Sequence, residues 1–177
     1  LNLAPTASTT ASLAVGDALA ATLIECRNSS TEDFAKSHPN GSLGKRLLLK
    51  VADIMHTGEK IPTVKPEQML SEGLIEISQK NLGMVAIIDE NKEVLGIFTD
   101  GDLRRTLDSK IDIHKTHMSD VMSTKYKTVE KDMLAIASMK LLKHHKITHL
   151  LVTNENKILQ GALNIHDLLQ AGIVRSV

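Results

Sequence analysis

Two short stretches carry residue types that can do chemistry. The first is SHPNGSLGKR, residues 37–46, with a histidine, two glycines and two cations. A phosphate-cradling P-loop requires Gly-x-x-x-x-Gly-Lys-Ser/Thr. Here Arg46 follows Gly44-Lys45, and Pro39 stands five positions before Gly44, so that motif fails. A helix start capped by Asn40 or Ser42 is the second reading. A catalytic histidine on a loop, His38, is the third. An imidazole titrating near neutrality can transfer protons when an acid or base partner is within reach.

The second stretch is Gly96-x-x-Thr99-x-x-Asp102. Glycine lets the backbone turn or approach a neighbour closely. Thr99 and Asp102 fall at a predicted helix start, where both can cap free N–H groups. An aspartate there can also accept two ribose hydroxyls, while the helix N-terminus favours a phosphate. Arg104 and Arg105 follow and could pair an anion. The plain alternative is helix capping alone, with both arginines solvated.

Composition narrows the classes. The 177 residues are 42% hydrophobic and 24% charged, which suits one or two small domains. Lys+Arg and Asp+Glu each total 21, so no basic nucleic-acid footprint exists. Aromatics are 2% with no Trp, so the core must be aliphatic and base-stacking platforms are not expected. A lone cysteine, Cys26, excludes an internal disulfide and reads as a reduced, buried thiol of a cytoplasmic protein. No unbroken run of about 18 apolar residues occurs, so no membrane span is expected. His114-x-x-His117 and His144-His145 lack a second ligand pair at zinc-site spacing; no metal and no other cofactor are expected. The opening LNLAPTASTT, without Met, reads as cut from something longer.

The elements that position the second stretch come from a duplication. Residues 63–103 align on 128–168 without gaps, at an offset of 65. Thr63-Val64 falls on Thr128-Val129, Gly96 on Gly161, and Asp102-Leu103 on Asp167-Leu168. A lead-in also repeats, Val51–Met55 on Met118–Met122, at an offset of 67. Each unit reads as strand, helix, strand, strand, helix. Leu70, Leu74 and Ile77 make one buried helical face. Met84–Ile88 is an apolar run suited to a strand covered on both faces. Val94–Phe98 continues as a strand, and Asp100–Leu107 opens a helix. The second unit has strands at Leu150–Val152 and Ile158–Leu163. One such unit hardly buries enough surface alone, so two should pack by a pseudo-twofold.

Residues 1–50 lie outside the repeat. An Ala/Leu-rich helix is predicted from about Ala7 to Arg27, broken by Asn28-Ser29-Ser30. A short helix from Thr31 ends before His38-Pro39, since the residue before Pro disfavours helix. A third follows through Leu49. The Ala-rich face must bury itself against something else.

The D-I-M lead-in, the Thr-Val strand end and G-I-F-T-D-G-D-L resemble cystathionine-β-synthase (CBS) domains across residues 51–171. A tandem pair forms the Bateman module of that family. The resemblance implies nucleotide-like ligands in clefts between repeats and regulation of an attached enzyme or channel. On this reading Thr63, Thr99, Asp102, Asp120, Thr128 and Asp167 are candidate cleft residues. Each has a plain alternative: Thr63 and Thr128 as ordinary strand residues, Asp120 as a turn or cap residue. The second copy carries Asn164 in place of Thr99, with His166 before Asp167, so the clefts are not expected to be equivalent.

Further motifs extend the resemblance. L-A-P-T-x-S-T-T, then G-D-A-L-A, then the S-H-P loop, followed by a CBS pair, resemble the end of bacterial D-arabinose-5-phosphate isomerases. That family joins a doubly wound α/β sugar-isomerase (SIS) domain to a CBS pair. The resemblance implies interconversion of D-ribulose 5-phosphate and D-arabinose 5-phosphate, in the supply of Kdo for lipopolysaccharide. It places a catalytically relevant histidine at His38, with Asn40 where the family has Gly. The expected organisation is thus an SIS remnant at 1–50, CBS domain 1 at 51–110 and CBS domain 2 at 111–177. The fold class is α/β (α+β). The rest of the isomerase site would lie upstream of Leu1, so the chain alone is expected to be inactive. The implied partners are a sugar phosphate, and a nucleotide or nucleotide-sugar with CMP-Kdo as candidate. A homo-oligomer is expected, without nucleic acid or membrane. Two rivals stay open: a non-enzymatic CBS nucleotide sensor, and another SIS–CBS sugar-phosphate isomerase or regulator.

Overall fold

The computed structural model describes residues 5–29, 33, 48–109 and 111–173. The chain divides into two compact units, Leu1–Leu48 and Leu49–Val177.

The first unit contains helix α1, Thr6–Cys26, within one residue of the predicted span at each end. No α1 residue is buried; Leu13, Val15, Leu19, Leu23 and Ile24 are all at least half exposed. Cys26 is exposed too, which corrects the expectation of a buried thiol. By length and composition α1 is apolar enough to cross a membrane, although no unbroken apolar run marks it in the sequence. Its apolarity comes largely from alanine, interrupted by Asp17 and by hydroxyl residues such as Thr22, whose Oγ1 donates to the Ala18 carbonyl. His38 and its loop lie outside the described residues.

The second unit consists of two matching halves. In the first, β1 (Thr63–Val64) pairs in parallel with β2 (Met84–Ile88), which pairs antiparallel with β3 (Val94–Thr99). Helix α2 (Leu70–Lys80) makes the β1–β2 crossover and α3 (Asp100–Asp108) follows β3. After a short helix α4 (Met118–Val121), the second half repeats the pattern. β4 (Thr128–Val129), β5 (His149–Thr153) and β6 (Leu159–Asn164) form its sheet, with α5 (Ala135–His145) and α6 (Ile165–Gln170). The predicted fold class and the element order of the repeats are those observed; the second and third helices predicted between Thr31 and Leu49 fall almost wholly outside the described residues.

Alternation along the central strands builds the cores. Val85 and Ile87 of β2 face Leu70, Ile77 and Phe98 beneath the helices. Met84, Ala86 and Ile88 point the other way, into a cluster shared with Leu151, Leu159 and Ala162 of the second sheet. Leu150 and Val152 pack under α5 and α6 with Met139, Leu142 and Leu168. Each sheet therefore buries both faces, which is why β2 and β5 read as continuous apolar runs.

The lead-ins cross over. Val51 N–H donates to the Met133 carbonyl, and Met118 N–H donates to the Gln68 carbonyl. His56 bridges Ala162 as Ser123 bridges Ile97, and Lys50 bridges Leu134 as His117 bridges Met69. The offsets of 65 and 67 convert each bridge into its mate. Glu93 bridges Ile158, its own counterpart, and so marks the pseudo-twofold axis. Each lead-in thus docks on the body of the other repeat. Val51 is buried in the second core and Met118 in the first.

Candidate functional site

The crossing of the lead-ins builds a cleft where β3 and α3 of the first repeat meet residues 123–127 and 145–149. Its volume is about 530 Å³. The chain enters it at the end of β3, where extended backbone turns into helix at Thr99. Thr99 is the N-cap of α3 and forms a capping box with Asp102. Asp102 Oδ2 accepts from the Thr99 N–H at 2.9 Å and from its hydroxyl at 2.7 Å. Asp102 Oδ1 accepts from Arg105 Nη2 at 2.6 Å. Arg105 is 75% exposed, so this side chain can swing toward a ligand at little cost. The plain capping role is thus present, and the carboxylate still faces the cleft.

Gly96 serves close approach. A Cβ there would stand 3.1 Å from the Ser123 carbonyl oxygen, so a larger residue would crowd the pairing of this lead-in with β3.

The far wall comes from the second repeat. Its Lys125, Lys127 and Lys146 supply cations that join Arg105 of α3, against Asp100 and Asp102. Ile97, Ile147 and the Tyr126 ring supply apolar surface. The Tyr126 hydroxyl donates to the Val94 carbonyl at 2.7 Å, and burial raises its pKa. His149 lies against Gly83, whose φ of +72° and missing Cβ leave room for the imidazole. Burial lowers the His149 pKa, although Asp100 nearby pulls it upward. The imidazole is therefore neutral around pH 7 and offers one donor and one acceptor.

This arrangement can take an anionic ligand with a flat apolar part and vicinal hydroxyls. A phosphate there would meet the α3 N-terminus and the lysines, hydroxyls would reach Asp102, and a ring would lie against Ile97, Tyr126 and Ile147.

Of the sequence candidates, Thr99 and Asp102 line this cleft together. Thr128 is exposed on β4, next to the lining residue Lys127, and Thr63 is half-buried on β1; neither lines it. Asp120 is exposed, and its Oδ2 accepts from the His117 N–H at 3.3 Å as a cap of α4. Asp167 occupies the pseudo-twofold position of Asp102. Its Oδ2 accepts from the Asn164 N–H at 2.7 Å, and His56 Nε2 lies 3.0 Å from its Oδ1. The surroundings of the two aspartates differ: Asn164 accepts from the His166 and Asp167 N–H groups as the cap of α6, and His56 meets Asp167 where, among the described residues, no histidine meets Asp102.

Sequence reading missed Ser123, Lys125, Tyr126, Lys127, Lys146 and His149. The usable signal was the Lys125-Tyr126-Lys127 triplet before β4 and the Lys-His-His-Lys run at the end of α5. Both look like solvated surface until the crossover turns them toward α3.

Comparison with known proteins supports this architecture. A family model for the CBS domain matches residues 51–109 and 118–173. Arabinose 5-phosphate isomerase KdsD of Pseudomonas aeruginosa is 49% identical over 98% of the chain and 53% of its own length. The chain thus spans about half the length of the curated relatives it matches. The acetoin utilization protein AcuB of Vibrio cholerae shares the fold at TM-score 0.64 and 26% identity, over 72% of this chain and 92% of its own. CBSX2, solved in complex with AMP, aligns at TM-score 0.60 and 23% identity, over 71% of this chain and 96% of its own.

Proposed function

Because the chain belongs to the CBS-domain family and carries two copies in tandem, we propose that its Thr99–Asp102 cleft binds a nucleotide or nucleotide-sugar and regulates an attached isomerase. The observation that carries this reading is the convergence, in one cleft, of a capped helix N-terminus, a carboxylate, several cations and an apolar wall. AMP in the related CBSX2 structure supports the ligand class. CMP-Kdo fits the same chemistry, with a ribose for Asp102 and negative charge for the lysines.

The attached enzyme is an aldose–ketose isomerase acting on D-ribulose 5-phosphate and D-arabinose 5-phosphate. The likeness to arabinose 5-phosphate isomerases along almost the whole chain supports this. Residues 1–50 are then the last helices of its SIS domain, 51–110 and 111–177 its CBS domains, and the compartment is the cytoplasm. The exposed apolar residues of α1 call for burial, which a larger SIS domain and assembly into a dimer or tetramer would supply. His38 takes part in moving the proton between C1 and C2 through an enediol.

Titration calorimetry of the 177-residue chain with AMP, other nucleotides and CMP-Kdo tests the ligand reading. Heat that saturates, and that is lost on Asp102→Asn, is expected; no heat from any of them would sink it. Isomerase assays of the protein extended to its relatives' length test the activity.

A further inference from the structure

The pseudo-twofold predicts a second cleft, built around Asn164 and Asp167 as the first is built around Thr99 and Asp102. The lead-in residue that reaches the two carboxylates differs. Ser123 faces the first cleft, and His56 stands at the equivalent place beside Asp167. We propose that His56 is a built-in latch that closes the second cleft, so that the module takes one ligand per chain.

The contacts on the two sides are unlike in kind. Asp102 Oδ1 is held by Arg105, a surface side chain from its own helix, 75% exposed and free to leave. Asp167 Oδ1 is held by His56 Nε2 at 3.0 Å; the carboxylates are alike in exposure, 13% for Asp102 and 16% for Asp167, but His56 is only 32% exposed. His56 is also fixed by its backbone. Its N–H donates to the Ala162 carbonyl at 2.8 Å, and its carbonyl accepts from the Ala162 N–H at 3.1 Å. The imidazole therefore occupies the hydroxyl-accepting edge of Asp167 from a backbone-anchored, partly buried position. The Oδ2 atom is already used in capping α6. Both carboxylates cap their helices through Oδ2, so the difference lies at Oδ1: a ribose meets a backbone-anchored imidazole at Asp167 and only an exposed guanidinium at Asp102.

The surroundings agree. Positions corresponding to Tyr126, Lys127 and His149 are Ile61, Pro62 and Met84. Gln170 and Asn81 stand where the first cleft has Arg105 and Lys146, so the second lacks three of four cations as well as two polar ring systems. Lys60 keeps the place of Lys125, and Lys80, at the place of His145, is tied to Glu76 at 2.6 Å and donates to the Ile61 carbonyl at 3.1 Å.

The latch rests on the nucleotide reading only for its ligand probe, and two exchange variants separate the two. His56→Ser copies the residue already present at 123 and keeps the backbone bridge, so it should fold, as a thermal melt will show. Ser123→His installs the latch against Asp102. Backbone amide shifts are followed by NMR during AMP titration. In the wild type, shifts confined to residues 97–105 and 123–149 are expected. In His56→Ser, residues 164–167 should respond as well, and stoichiometry should rise toward two. Ser123→His should weaken the first site by about tenfold or more. Wild-type shifts at both clefts, or a His56→Ser chain that still responds only at the first, would overturn the latch. If AMP moves nothing in any variant, the nucleotide reading fails instead. The latch is then judged on the unliganded crystal structure of His56→Ser: an open cavity beside Asp167 supports it, and a closed one overturns it.

Discussion

A Cβ added to Gly96 would lie 2.7 Å from the Met122 sulfur, and one on Gly161 would lie 2.5 Å from the sulfur of Met55. The two contacts are the same contact seen from either side of the pseudo-twofold. They fix the lead-in of each repeat to the sheet of the other. The methionine could yield, but the Ser123 carbonyl oxygen 3.1 Å from the same point is backbone. Gly96→Ala should therefore destabilise the second unit by about 1–3 kcal/mol, as overpacking does. Urea unfolding checks this, and an unchanged midpoint would contradict it.

Asp102 and Asp167 should part company in binding. Asp102→Asn keeps the side chain's shape but weakens the acceptor, so nucleotide affinity should fall roughly tenfold or more. Asp167→Asn should leave affinity unchanged. Each substitution weakens a cap, so each should cost no more than about 1 kcal/mol of stability. Calorimetry beside thermal melts separates the two effects.

The cationic wall makes binding salt-sensitive. Lys125→Gln and Lys127→Gln should each weaken a phosphorylated ligand and flatten the dependence of affinity on ionic strength. A nucleoside without phosphate should show neither effect. Titrations at low and high salt with AMP and adenosine test the pair.

His149 gives a signed pH dependence. Its pKa in the fold lies below its ordinary value because burial opposes the charge. The unfolded chain then takes up the proton first as pH falls. The contribution of neutral His149 is complete above its unfolded value, about 6.5, and is lost as pH drops through the folded value. His149→Met copies the residue at position 84 and removes this titration. Stability of the variant should fall less steeply than wild type between about pH 7 and pH 5. Urea midpoints across that range decide it; parallel curves would refute the assignment.

For catalysis the prediction concerns His38. In the protein extended to its relatives' length, His38→Ala should lower kcat by about 10²–10⁴, the range of a lost proton-transfer group. Binding of AMP to the CBS pair should be untouched. Full turnover in the variant would remove His38 from the reaction.

The sequence by itself determined the fold class and the local geometry of half the site. Apolar runs at Met84–Ile88 and Leu150–Val152, and the helical spacing of Leu70, Leu74 and Ile77, are local patterns set by strand and helix periods. The capping box at Thr99 and Asp102 spans three residues and is equally local. Duplication even made the pseudo-twofold legible, because two copies with one pattern must bury the same faces. Tertiary structure decided the rest. That residues 123–127 and 145–149 meet α3 follows from lead-ins exchanged between repeats, a long-range pairing that no local pattern encodes. Lys125, Tyr126, Lys127 and His149 become a wall only through it. The same exchange brings His56 across 111 residues of sequence to Asp167. The chain carries two nearly equivalent aspartates, and the neighbour that packing delivers to each distinguishes an open cleft from a latched one.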